Sequence, residues 1–224
     1  MTMRSSVRRS AALLGDHAAA ILGCGSVPRA YACSVCHGPA AGNVCAGCLL
    51  LARHGAPMHL KVFPLSTALR PSRWYEALRT YKTTHPERGW LLASVVSSRL
   101  PLALLRSGRI MIVPSTQQPA PHPLLHVLKS ALCGGVTASI HHRGGAIQRH
   151  AYHPEVFATD GVTGARVVLF DDLWVSGATM MSAAGALLRD GAASVTLIPV
   201  ARHVALQYYG RRHPYVRLCQ GEVA

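Results

Sequence analysis

The chain has 224 residues, half of them hydrophobic, and carries 23 Lys and Arg against nine Asp and Glu, a formal net charge of +14. This length fits one main domain with a small appendage and a sizeable core. The charge predicts attraction to anions, but nucleotides, phosphorylated sugars, nucleic acid and anionic lipid all qualify. Aromatic residues are only 6% of the chain, which argues against a surface that stacks the bases of single strands. No apolar run reaches the roughly 18 residues of a membrane span.

The first 30 residues form a basic segment with the outline of a signal peptide. MTMRSSVRRS is followed by an apolar stretch, AALLGDHAAAILG, which Asp16 and His17 interrupt. We therefore expect a short amphipathic helix over 8–22 that packs on the main domain.

Four cysteines form two CxxC pairs separated by eight residues. Each pair can present two thiolates from one tight turn, and two such turns complete a tetrahedral zinc site. The site has no open position, so we expect a structural zinc ribbon without a catalytic role. A redox dithiol or a pair of disulfides is the alternative. Four thiolates on a metal suit a reducing compartment, which predicts a cytoplasmic protein. The four residues are Cys33, Cys36, Cys45 and Cys48.

Strands and helices alternate through the middle of the chain. Short apolar runs indicate the strands, and apolar residues three or four apart, with prolines at the ends, indicate the helices. The predicted elements are a strand within 58–65, helices over 72–82 and 86–101, a strand at 109–113 and a helix over 123–133.

The segment 167–179, VVLFDDLWVSGAT, organises the rest of the chain. Four apolar residues lead to Asp171 and Asp172, the only two acids that are adjacent in the sequence. A helical pattern follows up to Gly191, and then a second apolar run at 194–200. Continuous apolar runs are typical of strands buried on both faces, so the pattern predicts a strand–loop–helix–strand unit of a parallel sheet.

The same segment predicts a site for a sugar phosphate. Neighbouring carboxylates repel each other and need a metal, a cation or hydroxyl donors. We expect Asp171 and Asp172 just beyond the carboxyl end of their strand, where open α/β sheets bind ligands. Gly177 lets the backbone approach an anion at the positive end of a helix, and Ser176 and Thr179 add hydroxyls. A ribose 5-phosphate offers a phosphate to one end and a diol to the other.

These residues resemble the phosphoribosyl pyrophosphate (PRPP) motif of type I phosphoribosyltransferases, a hydrophobic strand followed by Asp-Asp and Thr-Thr-Gly-Ala-Thr. The chain keeps both acids and the Gly-Ala-Thr, and it departs at Val175, where the family tends to have Thr, and at Ser176, which retains a hydroxyl. A four-cysteine ribbon before such a segment, together with LRTYK at 78–82, resembles the ComF (competence protein F) family.

The resemblance implies an α/β, type I phosphoribosyltransferase-like fold, a Rossmann-like parallel sheet flanked by helices with a small N-terminal zinc ribbon. It implies three parts. They are an N-terminal helix or arm (1–30), the four-cysteine ribbon (31–55) and the phosphoribosyltransferase-like domain (56–224).

The resemblance also assigns roles to residues. Asp171 and Asp172 would be the catalytic pair that holds the ribose hydroxyls, with Mg²⁺ bound beside PRPP. Five residues would bind the 5-phosphate of PRPP, namely Val175, Ser176, Gly177, Ala178 and Thr179. The pyrophosphate loop would contain Pro114, Ser115 and Thr116.

Two departures concern the pyrophosphate. Gln117, Gln118 and His122 stand where the family usually has basic residues. Lys82 is another candidate for this anion, although a solvated surface lysine is the simpler expectation.

Two functions follow. The first is an enzyme that binds PRPP, or a related ribose 5-phosphate nucleotide, with Mg²⁺ and transfers the phosphoribosyl group to a nitrogenous base. The alternative is a non-catalytic ComF-like protein of competence, DNA uptake or regulation, which binds single-stranded DNA or a competence-machinery protein through its basic surface. A homodimer is compatible with either.

Overall fold

The computed structural model describes residues 29–100, 104, 108–115, 122–132 and 140–220. The predicted helix over 8–22 lies outside these residues, as do Thr116, Gln117 and Gln118.

The main sheet is entirely parallel. Its order is β1, β7, β6, β3, and β2 also pairs with β7, further along the edge that β1 occupies. A separate two-stranded sheet pairs β4 and β5 antiparallel. The strands are β1 (Lys61–Val62), β2 (Thr67–Arg70), β3 (Arg109–Ile112), β4 (Ile140–His142), β5 (Phe157–Thr159), β6 (Arg166–Trp174) and β7 (Ser194–Ala205).

Seven α-helices occur in the described part of the chain. Three of them, α2 to α4 in chain order, pack on one face of the main sheet, and α5 packs on the other face together with the cysteine pairs. The helices are α1 (Ala46–Arg53), α2 (Arg73–Thr80), α3 (Gly89–Arg99), α4 (Pro123–Leu132), α5 (Ala178–Arg189), α6 (Leu206–Tyr209) and α7 (Pro214–Cys219).

The apolar run of β6 explains why the sheet is covered on both sides. Successive residues of a strand point to opposite faces. Val167 and Leu169 lie in the core shared with α5, while Val168 and Phe170 lie in the core shared with α2, α3 and α4. The expected α/β architecture, a parallel sheet flanked by helices, is confirmed.

Several boundaries differ from the prediction. The last strand was expected at 194–200, but β7 continues to Ala205, and β2 pairs with its second half. The helix of 72–82 is shorter, because α2 begins after Ser72, whose hydroxyl accepts a hydrogen bond from the Tyr75 amide at 3.1 Å. It ends at Thr80, before Tyr81 and Lys82.

No helix in the described residues has the length and apolar character needed to cross a bilayer.

Candidate functional site

The carboxylate pair lies where one strand has ended and its neighbours continue. β3 ends at Ile112, paired with Phe170, and the Val113 amide donates to the Phe170 carbonyl at 2.8 Å. β6 continues for four more residues alongside the long β7, up to Trp174. The acids therefore belong to the last four residues of β6, not to the loop after it, because pairing with β7 keeps this part extended. They still lie beyond the carboxyl end of β3.

Asp172 has two partners from the segment that follows α2. The Tyr81 hydroxyl donates to its Oδ2 at 3.1 Å, and the Lys82 ammonium lies 2.7 Å from the same oxygen. Asp172 is only 5% exposed and Tyr81 is buried. The expectation of a solvated Lys82 is therefore wrong: its side chain is 24% exposed and forms an ion pair with the buried acid.

The environment separates the two carboxyl groups. Burial, followed by the charge of Asp172, raises the pKa of Asp171 well above its usual range. Burial also opposes ionisation of Asp172, but the adjacent Lys82 ammonium outweighs it and holds the pKa of Asp172 below its usual value. The Asp172 amide donates to Asp171 Oδ1 at 2.8 Å. The environment therefore favours a proton on Asp171 and a negative charge on Asp172, beside which the Lys82 ammonium lies.

Two further polar groups, Tyr81 and His122, interact with Asp172. Burial and the neighbouring Asp172 raise the pKa of Tyr81, so its hydroxyl remains a donor. Burial and the Lys82 charge lower the pKa of His122 to about 4, against the opposing effect of Asp172. His122 Nδ1 accepts from the Leu124 amide at 3.1 Å, which leaves the proton of the neutral ring on Nε2. Tyr81 and His122 are functional candidates to which the sequence alone assigned no role: Tyr81 was only part of the LRTYK segment, and His122 was only a departure from the family pattern.

The loop between β6 and α5 depends on its glycine. Gly177 has φ 85°, the left-handed region that favours glycine, and a Cβ there would lie 2.3 Å from Trp174 Cζ2. The Ser176 hydroxyl accepts from the Ala178 amide at 3.3 Å. Within the described residues, no hydrogen bond is found to the amides of Gly177 or Thr179.

Solvent access differs along this loop. Val175 is exposed, Ser176 and Thr179 are partly exposed, and Gly177 and Ala178 are buried. A ligand would therefore meet the two hydroxyls before the buried backbone.

The predicted pyrophosphate loop is described only in part. Pro114 and Ser115 follow β3 directly and are partly exposed. Because β3 pairs with β6, they lie at the same edge of the sheet as Asp171.

The cysteine pairs come together as predicted. The four Sγ atoms lie within 4.8 Å of one another, and those of Cys36 and Cys45 are 3.7 Å apart. A tetrahedron with Zn–S bonds of about 2.3 Å has edges of about 3.8 Å, so the spacing suits a metal such as zinc. All four cysteines are free thiols, which removes the disulfide alternative. The amide of Cys45 also donates to Cys33 Sγ at 3.3 Å, a contact that favours a thiolate.

A buried arginine of β7 connects the cysteine cluster to the loop after β6. Arg202 Nη1 donates to the carbonyls of Trp174 and Val175, each at 3.1 Å. Its guanidinium also interacts with Cys36, and a Cβ on Gly38 would lie 2.6 Å from Arg202 Nε. The only sequence feature that points to this contact is a basic residue within a buried strand.

The site and fold define an α/β protein with a parallel sheet and a four-cysteine cluster suited to a metal. No family model matches the chain, and no curated protein is found to be similar to it. The resemblance to ComF proteins and phosphoribosyltransferases therefore depends on the motifs themselves.

Proposed function

We propose that this protein binds PRPP, or a related ribose 5-phosphate, at the carboxyl edge of the parallel sheet and transfers the phosphoribosyl group to a nitrogenous base. One observation carries the proposal: Asp171 and Asp172 lie at the end of β6, directly before the loop that begins α5. One strand–loop–helix unit thus carries two carboxyl groups that can accept hydrogen bonds from hydroxyls and a helix start that attracts a phosphate.

The phosphate end would use the loop of residues 175–179. Ser176 and Thr179 offer partly exposed hydroxyls, and the amides of Gly177 and Thr179 are available as donors. The start of α5 adds a partial positive charge. Ser176 would release its contact with the Ala178 amide and turn to the phosphate.

The ribose end would use the carboxylates. Asp172 is ionised and accepts hydrogen bonds already, from Tyr81 and Lys82. A ribose hydroxyl would replace the ammonium of Lys82, which then becomes available for the pyrophosphate. Lys82 thus supplies a basic group that the loop after β3 lacks in Pro114 and Ser115.

In the reaction, a nitrogen of the acceptor base forms a bond to C1 of the ribose as the bond from C1 to the pyrophosphate oxygen breaks. The pyrophosphate leaves with the electron pair, and the proton of the base nitrogen passes to solvent. Carboxylate oxygens are the donors that Mg²⁺ prefers, so Asp171 and Asp172 fit such an ion. When bound with PRPP, Mg²⁺ would offset the charge of the leaving group. The protein contributes positioning and electrostatics.

The wider resemblance belongs to the same proposal. A type I phosphoribosyltransferase-like fold and ComF-like organisation are supported by the order of the cysteine cluster and the Asp-Asp strand. Structural zinc is supported by the spacing of the four thiols. A cytoplasmic location stays a prediction, because the four clustered thiols are free whereas Cys219 is disulfide-bonded.

Calorimetry with PRPP and Mg²⁺ tests the site. We expect binding by the wild type, loss of binding in the double variant Asp171→Asn, Asp172→Asn, and no change in Asp160→Asn, which alters an exposed acid near β5. Unchanged PRPP binding by the double variant would overturn the assignment.

Transfer is tested separately, by release of pyrophosphate when PRPP is incubated with a panel of bases. If the protein binds PRPP but releases no pyrophosphate with any base, it binds PRPP without transferring the phosphoribosyl group. Salt-dependent binding of single-stranded DNA without PRPP binding would favour the alternative function, since contacts to several phosphates give a steep salt dependence.

A further inference from the structure

A cavity of about 370 Å³ opens between α3 and α4, and Tyr81, whose hydroxyl donates to Asp172, forms part of its wall. Its volume falls within the range of small-ligand sites, roughly 300–1,000 Å³. None of its described lining residues takes part in the strand–loop–helix unit of β6 and α5.

The lining indicates the charge of a ligand. Six of the nine lining residues are Pro, Gly, Trp, Ala or Val, and the three polar ones are Tyr81, His126 and Ser130. No Asp, Glu, Lys or Arg is among them. A charged ligand would lose its hydration in such a cavity without gaining a counter-charge, so a neutral molecule is favoured.

A tryptophan distinguishes this cavity from an ordinary surface depression. Trp90 lies in its wall and is 43% exposed, whereas Trp74 and Trp174 are fully buried. An accessible indole offers a flat π-face, on which heteroaromatic rings stack favourably.

The cavity adjoins the carboxylate site through one side chain. Tyr81 lines the cavity, is buried, and donates its hydroxyl to Asp172 Oδ2 at 3.1 Å. A molecule in the cavity and a molecule on Asp172 would therefore share Tyr81 as a common wall.

We propose that this cavity binds a neutral, planar heteroaromatic ring of nucleobase size, stacked on Trp90. In the proposed transfer from PRPP, this ring would be the acceptor base, and in that respect the inference rests on the proposed function. Binding of the ring itself does not require PRPP.

Quenching of Trp90 fluorescence can report binding of the ring, because Trp90 is exposed whereas the other two tryptophans are buried. Adenine and uracil are titrated into the full-length protein, and tryptophan fluorescence is recorded, with dihydrouracil as the non-aromatic control. We expect saturable quenching by adenine or uracil and little by dihydrouracil. No quenching by either base, or equal quenching by dihydrouracil, would overturn the proposal.

Variants locate the ring in the cavity. Calorimetry should show binding weakened roughly fivefold to 100-fold in Trp90→Ala, the range for loss of one base–aromatic contact. Ala93→Phe should block binding by filling the cavity, and Ser130→Phe repeats the test from an exposed position if the first variant does not fold. Tyr208→Ala, which removes an exposed aromatic residue elsewhere, is the control. Unchanged binding in a folded cavity-filling variant would refute the location.

The outcomes separate this inference from the proposed function. Binding of a base without binding of PRPP would keep the ring site and reject PRPP transfer. Binding of PRPP without binding of any base would do the reverse. If both hold, Asp171→Asn with Asp172→Asn should abolish PRPP binding and retain the binding of adenine or uracil, because the ring stacks on Trp90.

Discussion

The Lys82 ammonium lies 2.7 Å from Oδ2 of Asp172, a carboxylate that is itself almost completely buried. The two residues are far apart in the sequence, one after α2 and the other near the end of β6. The ion pair helps to explain how two adjacent acids are tolerated in this protein, since it places a positive charge beside the buried Asp172.

Removal of Lys82 should destabilise the fold. Lys82→Met leaves Asp172 as an unpaired buried charge, and we expect the free energy of unfolding to fall by about 3 kcal/mol. Lys129→Met, at an exposed position of α4, is the matched control and should change it by about 0.5 kcal/mol or less. Urea denaturation measures both. Equal effects of the two variants would mean that the ion pair does not stabilise the protein.

The carboxylate pair should make stability depend on pH. The pKa of Asp171 is raised by burial and by Asp172 above its unfolded value of about 4. The folded state therefore keeps a proton that the unfolded state has released. This stabilising contribution is complete below the unfolded pKa and is lost as the pH rises through the folded pKa.

Asp171→Asn cannot ionise, so its stability relative to the wild type should increase as the pH rises above the unfolded pKa of about 4. Asp172→Asn should give the opposite trend at acidic pH, because the pKa of Asp172 is lowered and its contribution is lost as the pH falls. Asp160→Asn, at an exposed acid, serves as control. Denaturation curves across this range measure the trend, and parallel pH profiles for all three variants would contradict it.

Gly177 should not tolerate a side chain. Gly177→Ala places a Cβ 2.3 Å from Trp174 and an alanine at φ 85°. The left-handed backbone alone costs about 1–2 kcal/mol, and the contact must add to it. Gly42→Ala, where a Cβ meets nothing within 4 Å, is the control. Thermal denaturation of both variants tests this, and an equally small loss of stability would show that the loop adapts.

The cysteine cluster should hold one metal ion per chain. Elemental analysis of the purified protein should find one zinc in the wild type and none in Cys36→Ser with Cys48→Ser, because a four-thiolate site loses half of its ligands. Ser34→Ala, an exposed neighbour of Cys33, should retain the metal. A wild-type protein free of metal but fully folded would argue against a metal role for the cluster.

Arg202 should be needed for its geometry and not only for its charge. Arg202→Lys replaces a planar fork with a single ammonium, which cannot serve the Trp174 and Val175 carbonyls and Cys36 together. We expect a loss of about 2 kcal/mol from buried acceptors left unpaired. Arg53→Lys, at an exposed end of α1, should be neutral. Urea denaturation measures the free energy of unfolding of the two variants, and equal values would contradict the prediction.

Local patterns predicted much of the fold. The apolar run of β6, the small residues at the start of α5 and the paired CxxC spacing each depend on neighbours in the sequence, and each forms the expected element or cluster. Cys219 shows the limit of such patterns, since it is buried and disulfide-bonded although it belongs to no local cysteine motif.

Local sequence patterns could not predict which side chains surround Asp171 and Asp172. Tyr81, Lys82 and His122 belong to segments far from Asp172 in the sequence, and parallel pairing of β3 with β6 and the packing of α2 and α4 on the sheet bring them together. The raised pKa of Asp171 likewise depends on burial and on the charge of Asp172, against the opposing effect of Lys82.

The sequence by itself thus determined β1, β3, β6 and β7, the helix start and the metal-binding pattern, because these follow from side-chain periodicity and local backbone preference. It did not indicate β2, β4 or β5, which are short and depend on pairing with a distant strand. Only the tertiary structure decided which side chains surround the acids and that Arg202 joins the cysteine cluster to the loop after β6. Such contacts arise between elements distant in sequence, and the energy of a buried charge depends on all the groups that pack around it.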